Sequence, residues 1–310
     1  MTDALDIRLP EMCATRCAIC DQEGGAAERW PATFDPEAFT ARVFSARRLP
    51  DRVHYRMVTC NTCGLVRSDP VASEELLATL YASSSFDYGQ EVESIQATYG
   101  RALGWLEARS PRRQALLEIG CGNGFFLQQA RRQGWEEVRG VEPSADAVAK
   151  APPELDGAIV QDVMRSGVFS RESFDAVCLF QVLDHISNPV ELLEECLSVL
   201  RPGGHILALN HNVSAWSARL LGERSPIVDI EHTYLYSPAT MRALFAKAGF
   251  ADLDVRSVRN TYSVAYLAQL IPLPTAVKSR LLPGLRAGPA ARIRVTVPLG
   301  NLCLIARKPD

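Results

Sequence analysis

Glu118-Ile119-Gly120-Cys121-Gly122-Asn123-Gly124 decides the reading of this chain. The stretch follows a strand-like segment over residues 114–117 and opens a helix-like one over 125–132. A chain that turns sharply from strand to helix needs positive φ, and a cofactor pressed against the backbone leaves no room for Cβ atoms, so glycines fall where such a cofactor lies. Spacing then separates two readings. The dinucleotide fingerprint G-x-G-x-x-G wants its third glycine at position 125, which is Phe125, whereas the observed pattern is acid-x-G-x-G-x-G. An acid two residues before the first glycine repels a pyrophosphate and suits a cofactor with a positive amino-acid end. The loop therefore points to S-adenosylmethionine (SAM) rather than NAD.

Taken with the residues downstream, the stretch resembles class I SAM-dependent methyltransferases. Val138-Arg139-Gly140-Val141-Glu142-Pro143-Ser144 looks like the second strand of that family, ending in an acid. The resemblance implies that Glu142, followed by Pro143, accepts hydrogen bonds from the ribose hydroxyls. Val160-Gln161-Asp162-Val163 is similar to the third motif, in which an Asp side chain and the next backbone amide read the adenine edge; Asp162 and Val163 take those roles by resemblance. Phe174-Asp175-Ala176-Val177-Cys178-Leu179-Phe180-Gln181-Val182-Leu183-Asp184-His185-Ile186 reads as a buried fourth strand running into the active-site loop. A helix over 192–200 and the strand Arg201-Pro202-Gly203-Gly204-His205-Ile206-Leu207-Ala208-Leu209 complete the order, giving five matches across about 95 residues. The implied fold is α/β: a Rossmann-like, seven-stranded class I methyltransferase sheet with an antiparallel last strand. The implied cofactor set is Glu118, Gly120, Cys121, Gly122, Asn123, Gly124, Glu142, Pro143, Asp162, Val163, Phe180 and Gln181. The plainer alternatives are strand-end acids at Glu118 and Glu142 and a turn cap at Asp162.

The chain of 310 residues has room for one large domain and a small one, and its 47% hydrophobic content is ordinary for a globular core. No apolar run reaches the roughly 18 residues of a membrane span. Met1-Thr2-Asp3-Ala4-Leu5-Asp6 is acidic and lacks the basic and apolar regions of a signal peptide, so a cytoplasmic location with reduced cysteines is expected. Nine cysteines then call for a use other than disulfides. Cys17-Ala18-Ile19-Cys20 and Cys60-Asn61-Thr62-Cys63 are two C-x-x-C knuckles, and four thiolates make a closed tetrahedral site of the kind that holds structural zinc. The 39 residues between Cys20 and Cys60 must form a loop or strands of their own. A redox or iron–sulfur use is the alternative, and Cys13 lies close enough to substitute as a ligand. Cys121, Cys178, Cys196 and Cys303 fall where small buried thiols are common.

These motifs divide the chain into a zinc-ribbon-like module over residues 1–70, a helical cap over 71–112, and a SAM-binding core over 113–310. In the cap, Ser73-Glu74-Glu75-Leu76-Leu77 opens a helix with a capping box, 96–108 is amphipathic, and Tyr88 in the aromatic loop 80–89 is a candidate contact to SAM or substrate. Ser237-Pro238 starts a helix over 239–248, followed by a sixth strand over 252–258 and a seventh over 301–307. The insert over 260–298 contains Ile271-Pro272-Leu273-Pro274 and Leu282-Pro283-Gly284 and reads as a broken helical lid, or alternatively as a homodimer surface. Net charge is −3 overall. Residues 1–70 carry nine Arg against ten Asp plus Glu, or −1, while residues 251–310 carry nine Lys plus Arg against three Asp, or +6. The cysteine module is thus no basic nucleic-acid footprint, whereas the C-terminal part suits an anionic small molecule or carrier, or is simply a solvated basic face.

Methyl transfer from a sulfonium is an in-line displacement that needs alignment above all, with a base only where the acceptor must lose a proton. The groups placed to help lie beyond the carboxyl ends of the fourth and fifth strands. His185 is the first candidate for base or substrate contact, Asn210-His211-Asn212 overlooks the same crevice, and His232 lies in Asp229-Ile230-Glu231-His232-Thr233-Tyr234-Leu235-Tyr236, which resembles an acceptor-side loop of small-molecule methyltransferases. A four-cysteine module before a class I core resembles deoxysugar methyltransferases of polysaccharide and natural-product pathways, and also zinc-bearing ribosomal RNA guanine methyltransferases. The acidic module and the lack of an Asn-Pro-Pro-Tyr motif count against RNA, so methyl transfer to a small molecule, a sugar or natural-product intermediate among them, is the expectation. A zinc-ribbon binding protein without catalysis is the third reading. The acceptor atom, oxygen, nitrogen or carbon, is not legible.

Overall fold

The N-terminal cysteine segment is built into the body of the protein rather than strung before it. The computed structural model describes residues 12–33, 53–73, 75–77, 92–110, 112–270, 275–288 and 293–310. Strand β1 (Met12–Cys13) pairs antiparallel with β5 (Val71–Ala72), while β2 (Ala26–Trp30), β3 (Met57–Cys60) and β4 (Val66–Ser68) form an antiparallel meander. The fourth strand of that small sheet, β11 (Tyr234–Leu235), comes from more than 160 residues later, with Tyr234 opposite Arg67 and Leu235 opposite Val66. The backbone N–H of Ser68 donates to the Thr233 carbonyl (2.8 Å) and its hydroxyl to the His232 carbonyl (2.8 Å).

The remaining elements follow the expected order. Helix α1 (Val92–Glu107) leads to β6 (Ala115–Ile119), α2 (Phe125–Arg132), β7 (Glu137–Val141), α3 (Ala145–Ala149), β8 (Ile159–Val160) and β9 (Phe174–Phe180). Then come α4 (Pro189–Val199), β10 (Leu200–His211), α5 (Trp216–Leu221), β11, α6 (Pro238–Lys247), β12 (Ala251–Ser263), α7 (Val264–Leu270), α8 (Thr275–Ala287) and β13 (Arg294–Arg307). The large sheet has seven strands in the order β12-β13-β10-β9-β6-β7-β8. β10, β9, β6, β7 and β8 run parallel, and β13 is antiparallel to both its neighbours. Strand β6 therefore sits between β7 and β9, and the chain reverses its direction of travel across the sheet there, which leaves a crevice beyond the carboxyl ends of β6 and β9.

Local chemistry explains the placement. β9 is buried along its whole length, as a parallel strand covered on both faces must be. Its one charged residue, Asp175, accepts the N–H groups of Gln114 (3.0 Å) and Ala115 (3.1 Å) and the Arg201 guanidinium (2.9 Å), pinning the entry of β6 to the start of β10. Helix α6 carries a full capping box: Ser237 Oγ accepts from Thr240 N–H and Thr240 Oγ1 accepts from Ser237 N–H, with Pro238 at the first helical position.

Two boundaries differ from the sequence reading. β6 runs two residues past 117, so Glu118 is a strand residue under the turn. The insert begins as strand, not helix: β12 and β13 continue their pairing through Asn260–Val297, Thr261–Thr296, Tyr262–Val295 and Ser263–Arg294 before α7 and α8 take over. Alternation with β-branched Thr261, Val295, Thr296 and Val297 favours that extension. Pro283 lies inside α8. Tyr88 and the loop 80–89 lie outside the described residues, as does Ile271-Pro272-Leu273-Pro274. Among the described residues no helix is long and apolar enough to cross a membrane.

Replacing Asp175 by Ala strands two buried N–H groups and the Arg201 cation, with an expected loss of about 3 kcal/mol of folding stability. Urea unfolding of wild type and D175A checks this; an unchanged midpoint rejects the pinning role.

Candidate functional site

The turn after β6 has the backbone that the glycines foretell. Gly120 takes φ 68° and Gly124, immediately before α2, takes φ 79°. A Cβ on Gly120 would lie 2.8 Å from Val182 Cγ2 on the loop after β9, and one on Gly124 would lie 2.4 Å from Leu155 Cδ1. The loops that follow β6 and β9 thus close on each other with no space for a side chain.

Around that turn stand carboxylates and amides whose acceptor atoms are buried and unanswered. Glu118 Oε2, Asn123 Oδ1 and Gln181 Oε1 have no hydrogen-bond partner. Burial, and then the neighbouring Glu142 carboxylate, push Glu118 well above the usual carboxylate range. Glu142, also buried, accepts the N–H groups of Gly122 (2.9 Å) and Ser144 (2.8 Å); burial still raises its pKa against those two donors. Cys121 is buried within this acidic field, and its thiol is pushed well up by burial and then by Glu118 and Glu142. A turn surrounded by unpartnered buried acceptors and two crowded carboxyls calls for a ligand rich in donors and carrying positive charge. An ammonium, ribose hydroxyls and a sulfonium meet that demand, so the residues present fit SAM.

Other sequence candidates sit differently. Pro143 is half-buried next to Glu142. Both oxygens of Asp162 are held locally, one by the Val163 N–H (2.8 Å) and the other by Arg165 (2.6 Å), and Val163 is half exposed. The geometry at Asp162 is that of a turn-capping acid. The Phe180 ring stacks on Tyr99 of α1 at 4.0 Å between centroids and meets Phe126 edge-on at 4.5 Å, in one cluster with Cys121 of the turn.

Beyond the ends of β9 and β10 the fold gathers four polar side chains that the sequence scatters. Asp184 has a side chain only 1% exposed, and its Oδ1 accepts from Asn210 Nδ2 (2.9 Å). Nε2 of His185 lies 3.9 Å from Asp184 Oδ1, while Nε2 of His211 and His232 lie 3.9 and 3.8 Å from Oδ2. The ring of His232 stands between the other two, with centroids 4.8 and 5.0 Å away. Burial drives His185 below the usual imidazole range and His211 down to about 4, in both cases against the pull of Asp184. These two imidazoles are therefore neutral at pH 7, and neutral imidazoles at a crevice accept protons and ligate metals. His185 and His232 were legible as candidates and His211 as a neighbour; Asp184, the hub, was not singled out. Its signal is an acid directly before a histidine at the end of a buried strand.

The four knuckle cysteines come together as expected. Cys17 Sγ and Cys63 Sγ are 3.5 Å apart, and the sulfurs of Cys17, Cys20, Cys60 and Cys63 all lie within 4.8 Å of one another. A tetrahedral ion with bonds of about 2.3 Å holds its sulfurs roughly 3.8 Å apart, so the set fits zinc. Turns close each knuckle, with Asp21 N–H donating to the Cys17 carbonyl (2.8 Å) and Gly64 N–H to that of Cys60 (2.9 Å). Although burial opposes ionisation of Cys60, the Cys63 and Thr62 N–H groups bring its thiol down to about 6, while burial raises Cys20 and Cys63. Cys13 is exposed and outside this group. Lys247 of α6 donates to the Ala18 carbonyl (3.0 Å) and pairs with Asp21 (2.6 Å), mooring the first knuckle to the core.

The family described as Methyltransferase domain matches residues 92–255. A ubiquinone biosynthesis O-methyltransferase of Cupriavidus pinatubonensis is 24% identical over 187 residues, 56% of this chain and 75% of that one. Against six further proteins of the same description, the match spans 48–63% of their length. A tRNA U34 carboxymethyltransferase of Desulfotalea psychrophila is 29% identical over 149 residues, 46% of this chain and 47% of that one. Among solved structures, a SAM-dependent methyltransferase from Archaeoglobus fulgidus superposes with a TM-score of 0.49 at 20% identity, covering 76% of this chain and all of that one. With the family matched over more than half its length, and with the acceptor-lined glycine turn at the switch point of a seven-stranded sheet, the chain belongs to the methyltransferase domain family and is a class I SAM-dependent methyltransferase.

Proposed function

We propose that this methyltransferase acts on a small-molecule acceptor bound in the crevice beyond β9 and β10, and that its four-cysteine cluster holds a structural zinc ion. The observation that carries the cofactor half of the reading is the set of unanswered buried acceptors on Glu118, Asn123 and Gln181. Glu118 serves the positive amino-acid end and Glu142 the ribose hydroxyls; an adenine role for Asp162 and Val163 rests on the resemblance alone. SAM supplies a methyl group on a positively charged sulfur, whose C–S electron pair returns to sulfur as the acceptor takes the methyl.

The chain's own residues align the acceptor and receive its proton. His185 and His232 face the crevice with Nδ1–H committed to backbone carbonyls, of Glu231 (3.1 Å) and Ile227 (2.8 Å), which leaves each Nε2 with a lone pair. His185 is the proton acceptor in this reading and His232 a substrate-side group. An oxygen acceptor is favoured because relatives are named for an O-methylation in ubiquinone biosynthesis, and a hydroxyl, unlike a tertiary amine, has a proton to give up. The module joins in through β4 and β11, which hold the His232 segment in place.

Calorimetry with SAM tests the cofactor assignment. Glu142→Ala loses charge-assisted hydrogen bonds worth about 1.5–3 kcal/mol, so Kd rises roughly ten- to hundredfold; wild-type affinity in E142A refutes it.

Glu118→Gln weakens SAM binding yet stabilises the ligand-free protein. The Glu118 pKa is raised on folding, so folding takes up a proton above the unfolded value, and stability falls as pH rises from about 4.5. E118Q lacks that slope, and its advantage in thermal midpoint over wild type grows between pH 5 and 7. A constant gap, or none, contradicts the buried-acid account.

For the metal, titrating the thiols of reduced protein with an organomercurial releases about one zinc per chain. Cysteines that react without releasing metal rule out the four-thiolate site.

A further inference from the structure

Asp184 Oδ2 is the most informative atom that the methyl-transfer reading does not use. Its side chain is 1% exposed, Oδ2 has no hydrogen-bond partner, and the Nε2 atoms of His211 and His232 point at it from 3.9 and 3.8 Å. No hydrogen bond spans such a distance. The Ile227 carbonyl takes the Nδ1–H of His232 (2.8 Å), the tautomer that places the lone pair of a neutral ring on Nε2. His211 repeats the pattern, with Nδ1 on Asn301 Oδ1 (3.3 Å). Two imidazole nitrogens and a carboxylate oxygen thus lie within 4.8 Å of one another.

That constellation is the one a metal ion needs. Imidazoles that ligate a metal through Nε2 characteristically give their Nδ1–H to a carbonyl or carboxylate, which fixes the ring and its tautomer. Ligand atoms of a tetrahedral ion with bonds near 2.1 Å sit roughly 3.4 Å apart, so the two separations between Asp184 Oδ2 and the imidazoles need contract by only about 0.5 Å. Two imidazoles and one carboxylate select a divalent first-row transition ion over Mg²⁺, which prefers oxygen ligands and water. Three protein ligands also leave coordination positions open, the mark of a catalytic rather than a structural site. The opening is real: the side chains of His211 and His185 are 26% and 21% exposed, on the crevice side of the cluster.

We propose that Asp184, His211 and His232 form a mononuclear site for a divalent transition-metal ion, separate from the four-cysteine cluster, whose open positions take an oxygen atom of the acceptor. The acceptor clause rests on the methyl-transfer reading; the metal clause does not. Asn210, through its hydrogen bond to Asp184 Oδ1, is the positioning residue that turns Oδ2 toward the two imidazoles. His185 stands beside the ion without ligating it, where a metal-bound hydroxyl would present its proton. The same site accounts for the placement of three histidines and a buried acid at the ends of β9, β10 and the loop before β11.

The test uses the full chain with its cysteine cluster loaded with zinc, and adds Co(II) as the probe. One further equivalent of cobalt binds per chain, with visible d–d absorption but no thiolate-to-cobalt charge-transfer band, and a large excess of Mg²⁺ leaves it in place. His211→Ala, at the most exposed ligand, and Asp184→Asn both lose that equivalent while keeping the mercurial-releasable zinc. SAM calorimetry runs alongside as an independent measure: its failure sinks the methyltransferase reading of the glycine turn and leaves the cobalt result standing. The proposal is overturned if wild type takes up no second equivalent, if the new absorption carries the thiolate band, or if H211A binds cobalt as wild type does. Should D184N fail to fold, H211A alone decides.

Discussion

One short strap holds the two halves of this protein together, and most of the site hangs from it. Residues 232–236 run between β4 of the cysteine module and the loop that follows β9. On one side Ser68 bonds to the Thr233 and His232 carbonyls, and on the other the N–H groups of Thr233 and Tyr234 donate to the Asp184 carbonyl (2.8 and 3.2 Å). The two tyrosine hydroxyls finish the work, that of Tyr234 donating to the Arg16 carbonyl (2.9 Å) and that of Tyr236 to the Leu183 carbonyl (2.9 Å). Every one of these is a buried or half-buried bond between segments far apart in sequence, so each depends on the others being made. The strap positions His232 and Asp184 at once, and thereby the crevice between them.

The cofactor turn obeys a different constraint, the burial of charge. Two carboxylic acids, Glu118 and Glu142, occupy adjacent strand ends with little access to water, and both pKa values are raised. Two buried acids so close together oppose each other's ionisation, and a cation relieves that opposition. Affinity for a positive ligand is thus partly the relief of that opposition, not only the sum of new contacts.

How much was legible follows from the range of the interactions involved. The glycine turn, the strand order and the C-x-x-C pairs are local patterns, since acid, glycine and apolar run sit side by side, and the structure reproduces them almost residue for residue. The Ser237 cap is legible for the same reason. Asp162 shows the limit of a local pattern: the acid stands where the family places it, but its carboxylate is spent on Val163 and Arg165. Phe180 shows another, because strand alternation turns its ring toward Tyr99, which no motif foretells. The Asp184–Asn210 bond and the pairing of β4 with β11 are invisible in sequence because the partners lie 26 to 169 positions apart. The strand extension at 260–263 is not legible locally, because its pairing partners lie 31 to 37 positions away, beyond the prolines that break the insert.

The pairing of β4 with β11 has a consequence for what counts as a unit in this chain. Arg67, wholly buried, lies opposite Tyr234 and gives its Nε–H to Thr15 (3.1 Å). The segment that matches the methyltransferase family, residues 92–255, therefore contains a strand whose partner in its sheet, among the described residues, lies outside it. Cut at that boundary, β11 would lose its ladder to β4 and bare the Leu235 side chain that packs in one cluster with Met57 and Val66. The cysteine segment and the sheet that follows it therefore share one strand pairing, and excising either also removes half of the strap's contacts.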